Sequence, residues 1–191
     1  MNEDFLETDL KKIVEENLKY GDFKICANLP YYITSPIVIK ILESKLNIKT
    51  TTLMVQKEVA LRFVANPSNK NYGSISVFVQ YFTTPEILFN VSKNCFFPKP
   101  KIESSVIKLT KKKVENFIEY EELFFKILRS SFSQRRKKIL NPLSKHLSID
   151  KSILEKILKD SKIDLNKRAE ELSKEQYINL TKKLYKFLTQ N

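Results

Sequence analysis

The hydrophobic pattern of the sequence changes near Lys111–Lys113. Before this point, short apolar runs typical of strands alternate with segments whose apolar residues recur every three or four positions, as in helices. After it, the apolar segments all have helical spacing. The pattern predicts an α/β domain over residues 1–110 and a small all-helical domain over residues 111–191.

Individual elements follow from the same periodicities. Predicted strands are FKICAN, TTLMVQ, EILFNVS and SSVIKLTKKK, and predicted helices of the first domain are DLKKIVEEN, IVIKILESKL and KEVALRFVANP. The segment YGSISVFVQYF is compatible with either a strand or a helix. This order predicts a largely parallel sheet with an antiparallel edge. In the second domain the predicted helices are YEELFFKILRSSF, QRRKKILNPLSKHL, DKSILEKILKDS and SKEQYINLTKKLYKFL; Pro142 is expected to break or kink the second, and Ser173 with Gln176 to form a capping box on the last.

Composition excludes several classes of protein. Hydrophobic residues make up 42% of the chain, which is enough for a packed core. No apolar run approaches the roughly 20 residues of a membrane helix, and Met1–Leu10 is too acidic and polar for a secretory signal. We therefore expect a cytoplasmic or organelle-interior location and no membrane partner. Cys26 and Cys95 lie in apolar or aromatic settings without CxxC spacing, which predicts buried free thiols rather than a disulfide or a zinc site.

The charge is positive and unevenly distributed. The net charge of +12 divides into +3 for residues 1–110 and +9 for residues 111–191. Such a surface favours a polyanionic partner, because binding releases counterions from nucleic acid and long-range attraction speeds association. The alternative is that a lysine-rich chain reflects an AT-rich genome.

The stretch ICANLPYYITSP, Ile25 to Pro36, suggests a ligand site. It ends a predicted strand, so it lies at the carboxyl end of the sheet, where ligands bind in open α/β folds. The Asn28 side chain offers an acceptor oxygen, and Pro30 restrains the backbone so that the Leu29 carbonyl can point the same way. Two convergent acceptors suit an exocyclic amino group, and Tyr31 offers a flat face to a base. Alternatively, Asn28 forms an Asx-turn and the tyrosines pack on the core.

Five ordered motifs carry a resemblance that spans residues 2–188. NLPYYITSPI, MVQKEVALRFVANPSNKNYGSISVFVQYF, FFPKPKIESSVIKL, FSQRRKKILNPL and RAEELSKEQY resemble the rRNA adenine N6,N6-dimethyltransferases of the small ribosomal subunit, the KsgA family. The erythromycin-resistance methyltransferases are related, but QKEVALR and FSQRRKK are closer to the small-subunit enzymes. The resemblance implies the C-terminal part of a Rossmann-like class I methyltransferase domain followed by an all-helical rRNA-binding domain.

The resemblance also implies how adenine is methylated. Asn28 and the carbonyl of Leu29 would accept the adenine N6 hydrogens and localise the nitrogen lone pair for attack on the methyl group of S-adenosylmethionine, with no side-chain base. Pro30 would hold this backbone. Tyr31 would stack on the flipped adenine and Phe96 would pack on its other side. Phe97, where the family varies, is the weaker candidate for that role, and Tyr32 is expected to pack on the protein.

The cofactor residues implied by the resemblance are Asp4, Phe5 and Asn28. Asp4, in NEDFLETDL, would meet the adenine ring of the cofactor, and Phe5 would neighbour it. The family also has a strand followed by a Gly-rich loop, but the only glycines here are Gly21 and Gly73. We therefore expect a chain that begins partway through the catalytic domain. A donor site supplied from elsewhere and a degenerate relative that only binds RNA are the alternatives.

The basic residues implied to bind RNA lie in two places. The run SQRRKK is predicted to lie inside a helix, and a merely solvated face is the alternative reading of it. The expected partner is small-subunit rRNA or the pre-assembled small ribosomal subunit, bound by a monomer. A non-catalytic RNA-binding or assembly protein and a DNA adenine methyltransferase are competing hypotheses. The RNA-binding candidates are Lys99, Lys101, Arg135, Arg136, Lys137 and Lys138.

Overall fold

The computed structural model describes residues 4–18, 21–112, 118–134 and 136–190. Contacts divide the chain into two compact units. The α/β unit contains the described residues of Met1–Val64 and Phe82–Lys113, and the helical unit contains those of Ala65–Tyr81 and Val114–Asn191. The second junction lies close to the predicted boundary at residue 110. The structure adds the segment Ala65–Tyr81 to the helical unit, a grouping that depends on contacts distant in sequence.

The α/β unit contains one sheet of four strands within the described residues. The spatial order is β1-β2-β4-β3, with β1 parallel to β2 and antiparallel pairing between β2 and β4 and between β4 and β3. The antiparallel edge is therefore confirmed, but the prediction of a largely parallel sheet is wrong for this part of the chain. The reason is that β4 inserts between β2 and β3. The strands are β1 (Phe23–Asn28), β2 (Ile48–Gln56), β3 (Thr83–Val91) and β4 (Ser104–Lys111).

The described residues of this unit also form three α-helices, α1 (Leu10–Asn17), α2 (Thr34–Glu43) and α3 (Lys57–Val64). Asp9 caps α1 by accepting the N–H groups of Lys11 and Lys12. Helix α3 packs against β2, β3 and β4.

One face of the sheet forms the core of the α/β unit. Leu53 and Val55 of β2 and Ile107 of β4 are fully buried, and Leu53 is paired with Ile107 across the strands. Burial of each such side chain contributes about 1.5–3 kcal/mol. This packing holds the ends of the strands in register, which matters for the site described below.

The helical unit is built on aromatic packing. Helix α4 (Ser74–Phe82) resolves the ambiguous segment as helical, and its Tyr81 stacks on Phe124 of α5 with ring centroids 4.7 Å apart. On α8 the capping box is confirmed, because the Ser173 N–H donates to Gln176 and the Gln176 N–H donates to Ser173 Oγ. The other helices of this unit are α5 (Glu121–Phe132), α6 (Leu140–Leu147), α7 (Lys151–Asp160) and α8 (Lys174–Gln190).

The second predicted helix of this unit begins later than expected. Its described residues from Ser133 to Ile139 form turns and a bridge, so the prediction that SQRRKK lies inside a helix is wrong. Helix α6 starts at Leu140, and Pro142 occupies its first turn. Proline is tolerated there because first-turn N–H groups have no partner within the helix, so Pro142 neither breaks nor kinks α6.

The cysteines are free but not buried. Both Cys26 and Cys95 are exposed, so the prediction of buried thiols is wrong. Cys26 falls on the outward-facing positions of β1, where burial alternates residue by residue. In the described part of the chain, no group of His, Cys, Asp and Glu side chains is arranged to hold a metal ion. None of the helices in these described residues has the length and apolarity needed to span a membrane.

Candidate functional site

The sheet brings the two aromatic motifs to one edge. Strand β1 ends at Asn28 and its parallel neighbour β2 ends at Gln56, while the antiparallel strand β4 begins at Ser104 opposite Gln56. The carboxyl ends of β1 and β2 therefore lie beside the start of β4. The motif NLPYY follows β1 and the loop of residues 92–103, which contains FFPKPK, precedes β4. We call this end of the sheet, with Asn28–Tyr32 and the loop of residues 92–103, the reading edge.

Asn28 presents its side chain to solvent at the reading edge. Its backbone pairs with Met54 in the ladder, and its residue is exposed. Among the described residues, no hydrogen bond engages the Asn28 side chain, so the alternative Asx-turn is not formed. The amide oxygen and nitrogen are thus available to a ligand.

Leu29 anchors the backbone next to Asn28. Its side chain is buried, and its N–H donates to the Met54 carbonyl at 3.3 Å. Within the residues that the structure describes, no N–H or O–H group donates to the Leu29 carbonyl. A second acceptor therefore stands one residue from the first, on a backbone that is held in place.

Pro30 starts a tight turn of 3₁₀ type over Tyr31–Ile33. Its φ of −59° and ψ of 131° are the extended values that proline favours. Its carbonyl accepts the Ile33 N–H at 3.3 Å and the hydroxyl of the buried Thr34 at 3.1 Å. These two hydrogen bonds fix the turn that carries both tyrosines.

Tyr31 connects the two motifs directly. Its hydroxyl is 2.6 Å from the Oγ atom of Ser104, in a hydrogen bond between residues 73 positions apart in the chain. The ring is half-buried. The bond fixes one end of the ring at the start of β4, so its orientation is determined by the sheet. Ser104 was not identified from the sequence, because nothing local to it signals a partner so far along the chain.

Tyr32 is exposed, contrary to the prediction that it packs on the protein. Its side chain is 85% exposed, although the residue lies in the same ordered turn as Tyr31. The reason is geometric. Once Tyr31 turns toward Ser104, the next residue of the turn points elsewhere, and the described residues do not cover it.

The loop of residues 92–103 carries the second pair of aromatic rings. It begins with a turn in which Ser92 Oγ accepts the Asn94 N–H. Phe96 is half-buried with an extended backbone, and Phe97 is fully exposed at 103%. Lys99 and Lys101 are both exposed, and neither has an ion-pair partner among the described residues.

An ion pair closes the far end of this loop. Lys57, the first residue of α3, donates to Glu103 at 2.7 Å, and the Lys57 N–H donates to the Glu103 carbonyl at 3.0 Å. The hydrogen bond and the charge of Lys57 lower the pKa of Glu103, with a smaller contribution from Lys93. Because the charge of Lys57 compensates that of the ionised Glu103, the exposed lysines dominate the net charge of the loop.

Asp4 and Phe5 lie in a turn beside α2. The Asp4 carboxylate accepts the Leu6 N–H at 2.8 Å, and Asp4 is exposed while Phe5 is half-buried. Lys40 of α2 lies 6.0 Å from the centre of the Phe5 ring and donates to the Leu6 carbonyl at 2.6 Å. The turn thus combines an exposed acceptor with a flat apolar ring, a combination suited to an adenine.

The predicted basic cluster forms a turn in the helical unit. Arg136, Lys137 and Lys138 are exposed, and Arg135 lies outside the described residues. Lys138 is also structural, because its ammonium group donates to Asn166 Oδ1 at 2.6 Å and its backbone bridges to Arg168.

This pairing brings a second basic segment beside the first. The Ile139 N–H donates to the Lys167 carbonyl at 2.9 Å, which fixes Lys167 and Arg168 next to the turn. These two cations were not singled out from the sequence. The signal was present in the motif RAEELS, which begins with Arg168. We call Arg136–Lys138 together with Lys167 and Arg168 the basic turn.

The chain resembles known proteins over most of its length. A model of the family described as "Ribosomal RNA adenine dimethylase" matches residues 1–186. The chain is 46% identical to the ribosomal RNA small subunit methyltransferase A of Alkaliphilus oremlandii, over 96% of this chain and 66% of that protein. It is also 46% identical to the protein of the same name from Caldanaerobacter subterraneus, over 97% of this chain and 69% of that protein. The chain therefore spans about two thirds of the length of these curated relatives.

Solved structures share the fold. A dimethyladenosine transferase from Plasmodium falciparum superimposes with a TM-score of 0.76 at 24% identity, covering 99% of this chain and 72% of that one. The 23S rRNA methyltransferase ErmE superimposes with a TM-score of 0.67 at 22% identity, covering 97% of this chain and 71% of that one. The Rossmann-like α/β fold with a helical C-terminal region is thus confirmed.

Proposed function

Since the chain belongs to the ribosomal RNA adenine dimethylase family, we propose that it acts in the transfer of methyl groups from S-adenosylmethionine to N6 of adenines in small-subunit rRNA. The observation that carries the proposal is the reading edge. There, two acceptors without partners among the described residues, Asn28 Oδ1 and the Leu29 carbonyl, stand beside a ring that Ser104 holds in place.

The reading edge supplies what an adenine amine needs. The N6 lone pair is delocalised into the adenine ring, which makes the nitrogen a poor nucleophile. If Asn28 Oδ1 and the Leu29 carbonyl each accept a hydrogen bond from one N6–H group, they favour a pyramidal nitrogen whose lone pair points away from both acceptors. The acceptors also stabilise the positive charge that develops on N6 as its new bond to carbon forms. The proton released afterwards passes to water, so no side-chain base is required.

Aromatic rings would hold the base in place. Tyr31 provides a face whose orientation is fixed by Ser104, and Phe96 would close on the opposite side of the adenine. Pro30 and its turn keep the Leu29 carbonyl from rotating. Such positioning contributes to rate because the reacting atoms meet without further ordering.

S-adenosylmethionine, when bound, supplies a methyl group that is electrophilic because it is attached to a positively charged sulfur. The residues present fit the adenine end of this cofactor. Asp4 offers an exposed carboxylate and Phe5 a half-buried ring in one turn, and Asn28 would border the site. No G-x-G loop occurs in the sequence, so these residues account for one end of the cofactor only.

The basic residues would bind the rRNA backbone. Lys99 and Lys101 would contact phosphates next to the target base, and Arg135, Arg136, Lys137 and Lys138 would contact phosphates from the helical unit. We propose that residues 1–110 belong to the methyl-transfer domain and residues 111–191 to the rRNA-binding domain. The proposed partner is small-subunit rRNA, free or in the pre-assembled subunit, bound by a cytoplasmic monomer.

Replacement of Asn28 tests the mechanism. Asn28→Ala in the full-length natural protein is expected to lower methyl incorporation into small ribosomal subunits by at least roughly 100-fold, the scale for losing one positioned hydrogen bond in a transition state. Affinity for rRNA should stay close to that of the wild type. Asn17→Ala is the matched control, because it removes an exposed asparagine at the end of α1. Wild-type turnover in Asn28→Ala would refute the mechanism.

One competing function is that of a non-catalytic RNA-binding or ribosome-assembly protein, which the net charge of +9 over residues 111–191 favours. That function predicts salt-dependent RNA binding without affinity for S-adenosylmethionine. Titration calorimetry with the cofactor on the full-length protein distinguishes the two, because measurable binding rejects the non-catalytic role. The same methylation assay with DNA in place of ribosomal subunits tests a DNA adenine methyltransferase.

A further inference from the structure

Two nearly bare aromatic rings flank the reading edge. Tyr32 is 85% exposed and Phe97 is 103% exposed, whereas the next most exposed large apolar side chain of the described residues, Phe89, is 58% exposed. Tyr32 immediately follows Tyr31, and Phe97 immediately follows Phe96. Each ring is thus the outward neighbour of a ring proposed to hold the target adenine.

The exposure of Tyr32 does not come from a loose backbone. The Pro30 carbonyl holds the turn through the Ile33 N–H and the Thr34 hydroxyl, and Ser104 holds the residue before Tyr32. A ring on a held backbone loses little conformational freedom when it binds, since only its own two torsions remain to be fixed.

Phe97 cannot share the base that Phe96 would hold. The backbone at Phe96 is extended, with φ −120° and ψ 147°, and successive side chains of an extended chain point to opposite sides. If Phe96 faces the adenine, Phe97 faces away from it. Its ring is therefore free to contact a different group.

The charge around Phe97 identifies the kind of group. Lys93, Lys99 and Lys101 of the same loop are exposed, and the acidic residue of the loop, Glu103, is paired with Lys57. Exposed rings interleaved with cations are the surface that binds single-stranded nucleic acid, because bases stack on the rings while phosphates meet the cations. An apolar peptide partner would gain nothing from this charge.

We infer that Tyr32 and Phe97 each stack on a nucleotide next to the target adenine, so that the site binds a short single-stranded segment of RNA rather than one flipped base. This inference rests on the proposed function and extends it to the neighbours of the target. The two rings keep the flanking bases unstacked from the adenine, which lowers the cost of moving the adenine into the site.

The test uses the full-length protein and an RNA hairpin with an adenine in its single-stranded loop, with binding followed by fluorescence anisotropy. Tyr32→Ala and Phe97→Ala should each weaken binding roughly 5- to 100-fold, the equivalent of about 1–3 kcal/mol per stacked base. Tyr32→Phe and Phe97→Tyr should bind like the wild type, since they retain a ring. Leu88→Ala, at an exposed apolar residue of β3, is the matched control and should have no effect.

Abasic RNA separates stacking from a general loss of structure. If each ring stacks on one flanking base, removing that base should abolish the difference between the matching alanine variant and the wild type. An abasic site on one side of the adenine should therefore equalise the wild type with one variant, and an abasic site on the other side should equalise it with the second variant. The inference is wrong if both alanine variants bind intact RNA within twofold of the wild type. It is also wrong if their defects persist on both abasic RNAs, or if the wild type does not bind the RNA.

Methyl transfer is measured on the same RNA. If the wild type methylates the adenine and both alanine variants bind normally, only the stacking inference fails. If the wild type binds but transfers no methyl group, the proposed function fails, while ring-dependent binding would still support stacking.

Discussion

The reading edge and the basic turn both present polar groups to solvent, but they are organised differently. At the reading edge, the ring of Tyr31 is oriented by Ser104, 73 residues further along the chain. At the basic turn, Arg136 and Lys137 project from a surface turn and are exposed. Base recognition requires acceptors and rings in fixed directions, whereas attraction to phosphate requires little more than charge nearby.

This difference determines how each region should respond to substitution. A change at the reading edge alters geometry, so its effect should depend on which atoms are lost. A change at the basic turn alters charge, so its effect should be additive and should depend on salt. Substitutions in the two regions therefore distinguish a site that depends on geometry from a surface that depends on charge.

After Asn28→Ala, the largest effect at the reading edge is expected from removing the ring of Tyr31. Tyr31→Ala should lower kcat/KM for methylation of small ribosomal subunits roughly 5- to 100-fold, because it removes a stacking surface of about 1–3 kcal/mol. Tyr31→Phe should lose less than Tyr31→Ala and should show only the rise in KM expected of Ser104→Ala, since the ring remains and only the hydrogen bond to Ser104 is lost. Equal losses in the two variants would mean that the hydroxyl, not the ring, is what matters.

A smaller effect is expected from neutralising the basic turn. Arg136→Gln combined with Lys137→Gln should make the plot of log association constant for rRNA against log salt concentration less steep. The slope should fall in magnitude by about 1.4–1.8, the value for two lost phosphate contacts. The rate of methyl transfer within the bound complex should be unchanged. Lys156→Gln with Lys159→Gln, on exposed positions of α7, removes the same charge elsewhere in the unit. If this control lowers the slope equally, the overall charge of the helical unit, and not the position of the basic turn, accounts for RNA binding.

A pair of serine substitutions compares the reading edge with the rest of β4. Ser104→Ala and Ser105→Ala each remove one hydrogen bond, the first to Tyr31 and the second to Asn90. Each should lower the free energy of unfolding by about 0.5–1.5 kcal/mol in denaturant titrations. Only Ser104→Ala should also raise KM for the RNA. If Ser105→Ala raises KM as much, the Tyr31 contact has no special role.

The smallest effect concerns pH. The folded protein lowers the pKa of Glu103 below its usual 4.5 through the hydrogen bond from Lys57. A carboxylate with a lowered pKa stabilises the fold above the unfolded pKa, and that contribution is lost as the pH falls through the folded value. We expect the protection of amides in the loop of residues 92–103, after correction for the intrinsic exchange rate, to fall as the pH drops below the usual 4.5. Glu103→Gln should remove this acid-dependent loss of protection. An unchanged acid response in the variant would assign it to another group.

Much of the local structure could be predicted from the sequence. The strand FKICAN is β1 with the predicted bounds, and the capping box of α8 forms as expected. These features depend on residues within a few positions of one another, so periodicity and capping chemistry are sufficient to predict them. The order of the strands could not be predicted in the same way, because β2 ends at Gln56 and its partner β4 begins only at Ser104, far along the chain.

Errors in the sequence-based predictions have physical causes. The run SQRRKK has the composition of a helix, but the antiparallel bridge from Lys138 to Arg168 draws the backbone into a turn instead. Cys26 is apolar enough for a core, but the alternation of β1 puts it on the exposed side. In both cases a tertiary constraint overrides local preference.

The chemical groups that this protein can offer follow from its sequence: an amide and a carbonyl after β1, aromatic residues in NLPYY and FFPKPK, and a strongly basic C-terminal region. Which of these groups lie together depends on the tertiary fold. The mixed sheet brings the start of β4 to the end of β1, which directs Tyr31 toward Ser104 and leaves Tyr32 and Phe97 exposed. The physical reason is that side-chain chemistry is a local property, whereas the direction of a ring depends on hydrogen bonds between residues far apart in the chain.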